Sequence, residues 1–257
     1  MRRRRPKRLS VEGGGAGRIA LPEIDSTNAE GFRRAAALDG PTWIVAGLQT
    51  AGRGRRARPW SSPLGNFHGT LVLRPVEPPE AVALRSFAAA LALRDALVTV
   101  TGLPGSFSLK WPNDVLLNGG KLAGILLESQ GLDCPDPVLC IGIGVNLIAA
   151  PDPSQVEPGA VPPVSLLQET GLRVAPEAFL DALAPAYDRW EFTFRAEGFA
   201  PLRAAWLDHA ARLGETIRAR TGQESREGVF EGIDPQGNLI LRTSAGTLAI
   251  PAAEVFF

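Results

Sequence analysis

Four arginines fall within six residues, at Arg53, Arg55, Arg56 and Arg58, interleaved with Gly52 and Gly54 and closed by Pro59-Trp60. Guanidinium groups present planar forks of donors that match carboxylate and phosphate oxygens. Glycines let a backbone approach a ligand closely or take positive φ. Such a run makes a poor helix and a poor strand, and on arginines alone it reads as a solvated basic loop. Its context argues for more. The apolar run Trp43-Ile44-Val45-Ala46 leads in as a buried strand, with Gln49 at its end, and Trp60 leads out as a large apolar anchor. The stretch reads as an anion-binding loop.

Three further polar clusters stand beside apolar runs: Ser26-Thr27-Asn28, Asn113-Asp114 with Lys121, and Asn146. Cations and backbone amides gathered around one carboxylate suit a reaction in which two anions must meet. Joining a carboxylate to a nucleotide α-phosphate is such a reaction, because cations must be aimed at both groups. No Walker A motif is present: Leu122 follows Gly120-Lys121, and no glycine stands five residues before Gly120. Gly142-x-Gly144 lacks the third glycine of a dinucleotide fingerprint. Residue types alone therefore point to phosphate or carboxylate chemistry without a P-loop. Plainer readings stay open at this level. Thr27 with Glu30 fits a capping box, Lys121 can be a solvated hairpin lysine, and Asp114 can be a turn residue capping its own backbone.

Positioning these groups requires a scaffold of alternating strands and helices. A short strand is expected at 19–21, a helix opening at 27, and strands at 43–46 and Phe67–Leu73. A long buried helix is expected over 79–100, where Leu84, Phe87 and Leu91 recur at helical spacing. A strand from 107 runs into a Pro-punctuated turn that carries Asn113 and Asp114. A hairpin then turns around Asn118-Gly119-Gly120, and an apolar strand runs over 138–146. Residues 149–163 hold five prolines and no periodicity, which predicts a surface loop. Helices are predicted over 165–170, 176–195 and 199–213. From 215 the pattern changes to short strands with turn signals, a small β unit that must pack on the larger one. Residues 1–18, with six arginines or lysines among the first eight and a Gly13-Gly14-Gly15 run, read as a disordered basic tail.

The remaining composition excludes several classes. Among 257 residues, Lys+Arg and Asp+Glu balance at 27 each, which argues against a whole-domain nucleic-acid surface. The apolar runs fall far short of the roughly 20 residues that span a bilayer, and no secretory core follows the basic start. Cys134 and Cys140 with two histidines make neither a disulfide framework nor a structural zinc site. A cytoplasmic enzyme with no resident metal cluster is the expectation.

The motifs Gly52-Arg53-Gly54-Arg55-Arg56-Ala57-Arg58-Pro59-Trp60, Lys110-Trp111-Pro112-Asn113-Asp114, Gly120-Lys121-Leu122-Ala123-Gly124-Ile125-Leu126-Leu127-Glu128 and Gly142-Ile143-Gly144-Val145-Asn146 resemble, in order, the four signatures of biotin–protein ligases. Asp25-Ser26-Thr27-Asn28 resembles the family's entry motif. The resemblance runs from about residue 19 to the C-terminus. It implies an α+β fold, a mixed sheet flanked by helices related to class II aminoacyl-tRNA synthetases, with a small C-terminal SH3-like β-barrel. The implied division is a catalytic domain at 19–212 and the SH3-like domain at 213–257.

The same resemblance implies two half-reactions. Biotin and ATP, with Mg2+, give biotinyl-5′-AMP, and a lysine of a biotin carboxyl carrier domain then takes the biotinyl group. By position, Ser26, Thr27, Asn28, Gln49, Gly52, Arg53 and Gly124 would hold biotin. Gly54, Arg55, Arg58, Trp60, Asn113 and Asn146 would serve the nucleotide with Arg53. Lys121 would bridge the biotin carboxylate and the α-phosphate, and Asp114 would orient or deprotonate the acceptor lysine. Neither specific DNA binding nor membrane binding is implied, since no DNA-binding segment precedes the match. A sheet edge near the site could serve a homodimer or the acceptor. Two other readings compete: a lipoyl or octanoyl transferase on the same fold, and a nucleic-acid-binding module built on the arginines. The chain departs from the family pattern at Ala57, where glycine is usual, at Pro59, and at His68. The first two should shift loop ordering rather than chemistry.

Overall fold

A computed structural model of the chain describes residues 7–9, 15–157, 159–222 and 224–257. Eight strands form one mixed sheet: β1 (Lys7–Leu9), β2 (Gly17–Ile24), β3 (Thr42–Gln49), β4 (Phe67–Leu73), β5 (Phe107–Lys110), β6 (Asp114–Leu117), β7 (Gly120–Gln130) and β8 (Val138–Val145). Their order is β1-β2-β3-β4-β8-β7-β6-β5. Only β2 and β3 run parallel; every other neighbouring pair is antiparallel. The parallel pair needs a crossover, which α1 (Thr27–Arg34) supplies. Most of the basic tail expected at 1–18 (residues 1–6 and 10–14) lies outside the described residues, whereas Lys7–Leu9 pairs with β2 and Gly17 and Arg18 open that strand.

Alternation along β4 and β8 divides the sheet into two unlike faces. Phe67 and Leu71 of β4, and Ile141, Ile143 and Val145 of β8, belong to the main core. Helices α3 (Arg85–Thr101) and α5 (Pro176–Glu197) cover that face. The even-numbered residues Thr70, Val72, Cys140, Gly142 and Gly144 face the other way. There Ile19, Ala35, Ile44, Val72 and Cys140 make a small apolar patch under α1. Gly142 and Gly144 leave the rest of this face open. A strand that is bulky on one side and bare on the other is what a cavity over a sheet requires.

Two helix expectations are revised. The helix expected over 79–100 is two, α2 (Pro79–Ala83) and α3, joined at Leu84. The one expected over 199–213 is α6 (Phe199–Leu207), because the following chain bonds to β5 instead. The Leu109 N–H donates to the His209 carbonyl, and the Ala211 N–H to the Leu109 carbonyl, each at 2.8 Å. The helices expected over 165–170 and 176–195 form, as α4 (Leu166–Thr170) and α5 (Pro176–Glu197).

Strands β9 (Thr216–Thr221), β10 (Glu224–Ile233), β11 (Leu239–Thr243), β12 (Gly246–Ile250) and β13 (Glu254–Phe256) form the second sheet, in the order β12-β11-β10-β9-β13. All of its pairs are antiparallel, as the SH3-like expectation requires. Its apolar residues Ile217, Phe230, Ile233, Leu239 and Leu241 are continuous with the main core. The Trp111 indole adds a bond between the two units, donating from Nε1 to the Gly237 carbonyl at 3.1 Å.

Candidate active site

A cavity of about 690 Å³ opens on the bare face of the sheet. Across its base the strand registers align four residues: His68 opposite Gly144, Gly144 opposite Gly124, and Gly124 opposite Asp114. The two central positions lack side chains, and the Trp60 indole lies on them. A Cβ on Gly144 would come 2.5 Å from Trp60 Nε1, and one on Gly124 would come 3.2 Å from the same ring. His68, for which sequence offered no account, is buried beneath the loop that follows Trp60. Its Nε2 lies 3.2 Å from the Pro63 carbonyl, and burial pulls its pKa down.

The arginine loop is a tight antiparallel excursion. Trp60 N–H donates to the Gly52 carbonyl at 2.9 Å, and Gly54 N–H to the Arg58 carbonyl at 2.8 Å. Gly52 serves close approach, since a Cβ there would meet Ser62 Oγ at 2.7 Å. The left-handed positions fall elsewhere than expected: Arg56 has φ 55° and Ala57 φ 57°, while Gly54 has φ −105°. The glycine usual at position 57 is thus replaced by alanine in a conformation that glycine adopts without cost.

At one end of the cavity the polar residues are joined into a network. Ser26, not Thr27, caps α1, its Oγ accepting from the Ala29 N–H at 3.4 Å. Thr27 is already the first helical residue, and its N–H and hydroxyl both donate to Gln49 Oε1, at 2.8 and 3.0 Å. Glu30 forms no capping box, because Arg33 and Arg34 on the next turn claim its carboxylate at 2.7 and 2.5 Å. Thr70 donates to Asn28 Oδ1 at 2.6 Å, and Asn28 Nδ2 donates to Glu128 at 2.8 Å. Arg53 closes the chain with two bonds to Glu128, at 3.2 and 3.0 Å. The result is a pre-set array of amides and hydroxyls with its one charge pair set to the side.

At the other end, cations converge on one carboxylate. Lys121 Nζ lies 2.8 Å from Asp114 Oδ1, and Lys110 Nζ lies 3.8 Å from Oδ2. Burial pushes the Asp114 pKa up, but Lys121, Lys110 and Arg55 outweigh it and hold the carboxyl below the usual range. Lys121 reaches this position through a β-bulge: Val115 opposes Ala123, but Leu116 opposes Lys121, so Leu122 is the extra residue. Strict alternation would send Lys121 with Ala123 into the core. The bulge turns its side chain onto the face of Asp114. Asn113 and Asn146 have their amides committed, Nδ2 donating to the Ile125 carbonyl at 2.6 Å and to the Val164 carbonyl at 3.1 Å respectively.

The described part of the segment 149–163, expected as a plain surface loop, supplies one wall of the cavity, with Val156, Glu157, Val161 and Pro163 lining it. Glu157 from this wall and Glu254 from β13 grip the arginine loop. Arg58 pairs with both, at 2.8 and 2.5 Å, and Arg56 with Glu254 at 3.0 Å. Arg220 of β9 pairs with the same two carboxylates. Arg55, alone of the loop's four arginines, forms no ion pair among the described residues. Desolvation lowers its pKa, and it lines the cavity.

Residues 20–146 match the Biotin/lipoate A/B protein ligase family, and residues 213–257 match the biotin protein ligase C terminal domain. The chain is 58% identical to the biotin–[acetyl-CoA-carboxylase] ligase of Paracoccus denitrificans, over 92% of this chain and 99% of that protein. The chain belongs to the biotin–protein ligase family. It is 32% identical to the corresponding ligase of Mycobacterium tuberculosis, over 91% of this chain and 86% of that one. Among solved structures it resembles the Aquifex aeolicus biotin protein ligase in complex with biotin and ATP. The TM-score is 0.79 at 28% identity, covering 93% of this chain and 97% of the other.

Of the site residues that the ligase motifs suggested, all line the cavity except Gly52, which backs the loop from behind. Sequence reasoning missed Lys110, Glu128, Glu157, Glu254 and Phe256. Lys110 and Glu128 stand inside recognised ligase motifs, so their position was a usable signal. Glu157, Glu254 and Phe256 lie in a proline-rich loop and the terminal strand, where nothing local marks them. Trp111, though central to its motif, points away from the cavity and into the joint between the two units.

Proposed function

We propose that this ligase condenses biotin with ATP to biotinyl-5′-AMP and pyrophosphate, then passes the biotinyl group to a lysine of a biotin carboxyl carrier domain. The observation that carries the reading is Arg55. A half-buried guanidinium without an ion pair among the described residues leaves positive charge in the cavity that an anion must balance. In the first step a biotin carboxylate oxygen attacks the α-phosphorus and the bond to pyrophosphate breaks. Lys121 sits between the two repelling anions, and Arg55 faces the departing phosphates. The uncharged array of Ser26, Thr27 and Gln49 suits a ureido ring, with the ring system lying against Trp60 and the glycines.

In the second step the acceptor amine attacks the acyl carbon, the C–N bond forms, and the bond to AMP breaks. The attacking nitrogen becomes strongly acidic as it bonds, so Asp114, a weak base, suffices to take its proton. Mg2+ enters with the phosphates of ATP. The donor set does not suit an ion held by the protein alone: no group of three His, Cys, Asp or Glu side chains that could hold one exists among the described residues, and Asp114 is held by lysines. A polyanion-binding role for the arginine loop fares poorly, because Arg53, Arg56 and Arg58 are neutralised by Glu128, Glu254 and Glu157. No helix among the described residues is long and apolar enough to cross a membrane.

Calorimetry with biotin, followed by ATP in its presence and a pyrophosphate assay, tests the reading. The expected result is biotin heat first and pyrophosphate release only with both substrates. An absence of biotin heat, with heat from lipoate or octanoate instead, would overturn it.

A further inference from the structure

Asp114 is held from two sides by lysines of unlike character. Lys121 stands at the start of β7, its side chain is 31% exposed, and it borders the open cavity. The Lys110 side chain is only 10% exposed. It is the direct cross-strand partner of Asp114 in the β5/β6 pair, and its ammonium lies 5.6 Å from the centre of the Phe257 ring. One lysine is free to leave the carboxylate and the other is fixed by strand register and an aromatic face.

In the ligase reading on which this inference rests, the acyl-adenylate draws Lys121 and Arg55 toward its phosphate. Lys110 (β5), Lys121 (β7), Arg55 (arginine loop) and Glu254 (β13) are the charged groups around Asp114 and its lysines. With Lys121 and Arg55 engaged elsewhere, Lys110 is the remaining cation. Without it, a buried carboxylate with no cation beside it would take up a proton before the acceptor lysine arrives, and could then accept none from it. We propose that Lys110 is a positioning residue for the transfer step, holding Asp114 in place and charged while Lys121 is occupied by the acyl-adenylate. The proton released as the C–N bond forms then goes to Asp114 and on to solvent, and AMP leaves with the electrons of the broken acyl–oxygen bond.

The test separates the half-reactions. For Lys110→Met, biotin-dependent ATP–pyrophosphate exchange should stay within about threefold of wild type, since Lys121 and Arg55 serve that step. Single-turnover transfer from purified biotinyl-5′-AMP to a carrier domain should fall about 10- to 100-fold at pH 7. Because losing a cation makes a carboxyl less acidic, the rising limb of the transfer rate should move to higher pH. Lys110→Arg should restore both rate and profile, and Lys110→Met should cost nothing further in an Asp114→Asn background. If Lys110→Met does not fold, Lys110→Gln replaces it with the same expectation. Equal loss in both half-reactions, unchanged transfer, or a further loss on top of Asp114→Asn would overturn the proposal. A wild-type protein without biotin-dependent exchange would instead overturn the ligase reading.

Discussion

The Trp60 indole rests on Gly144 so closely that the glycine's missing Cβ defines the ring's position; a Cβ there would lie 2.5 Å from Nε1. Gly144→Ala must therefore lift Trp60 from the sheet. Since Trp60 stands on a loop, the strain should appear locally: biotin binding weakened about tenfold or more, with a stability loss at the low end of the roughly 1–3 kcal/mol of overpacking. Gly142→Ala is the contrasting case. Its Cβ would meet Asn28 Oδ1 at 2.4 Å on the helix α1, which cannot lift away. Denaturant unfolding of both variants, beside biotin calorimetry, should find Gly142→Ala the more destabilised protein.

Lys121→Ala removes the cation that would lie between the two anions. Biotin-dependent pyrophosphate release should drop about 10²- to 10³-fold, with the fold intact by circular dichroism because the lysine is at the cavity edge. Near-normal turnover would remove Lys121 from the chemistry.

Ala57 holds φ 57° beside Arg56 at φ 55°. Left-handed backbone costs an L-residue about 1–2 kcal/mol, so Ala57→Gly should favour the ordered loop. The readout is trypsin cleavage at the loop arginines, which should slow in the variant.

Glu254→Gln should act in the opposite direction in the same assay. Glu254 pairs with Arg56, Arg58 and Arg220, tying β13 to the loop. The arginine partners are partly exposed, so water screens each pair and its contribution to global stability is small. Global stability should change little, while loop cleavage accelerates several-fold.

Asp25 couples α1 to pH. Arg33 binds its carboxylate at 2.6 and 2.9 Å and holds its pKa at about 2, below the usual 3.8. A carboxyl that is more acidic in the folded protein stabilises it above the unfolded value. That contribution fades as pH falls from 3.8 toward about 2. Urea midpoints between pH 5 and pH 2 should fall less steeply for Asp25→Asn than for wild type.

Much of the site was readable in the chain because short-range patterns carry it. The alternation Ile141, Gly142, Ile143, Gly144 marks a strand with one bulky and one bare face. The hairpin at Asn118-Gly119 forms as its residues demand, with φ 50° and 86°. The cap of α1 was misplaced by one residue: Ser26 and Thr27 are equally good caps by type, and Gln49, from the next strand, binds Thr27 as the first helical residue. The helix expected to reach residue 213 stops at Leu207 for the same kind of reason, since Leu109 offers the following chain a strand edge to bond.

Which side chains could do chemistry, the order of the elements that carry them, and which strand positions are bare can all be read along the chain. Periodicity and residue type are local properties, and the chain states them directly. That Lys121 faces Asp114 follows from strand pairing, because a bulge against Leu116 reverses the alternation that would have buried it. Tertiary structure alone also joined Glu157 and Glu254 to the arginine loop and set Lys110 behind Asp114. Those arrangements depend on strand register and on contacts between distant segments. Their energies exist only once the chain has closed on itself.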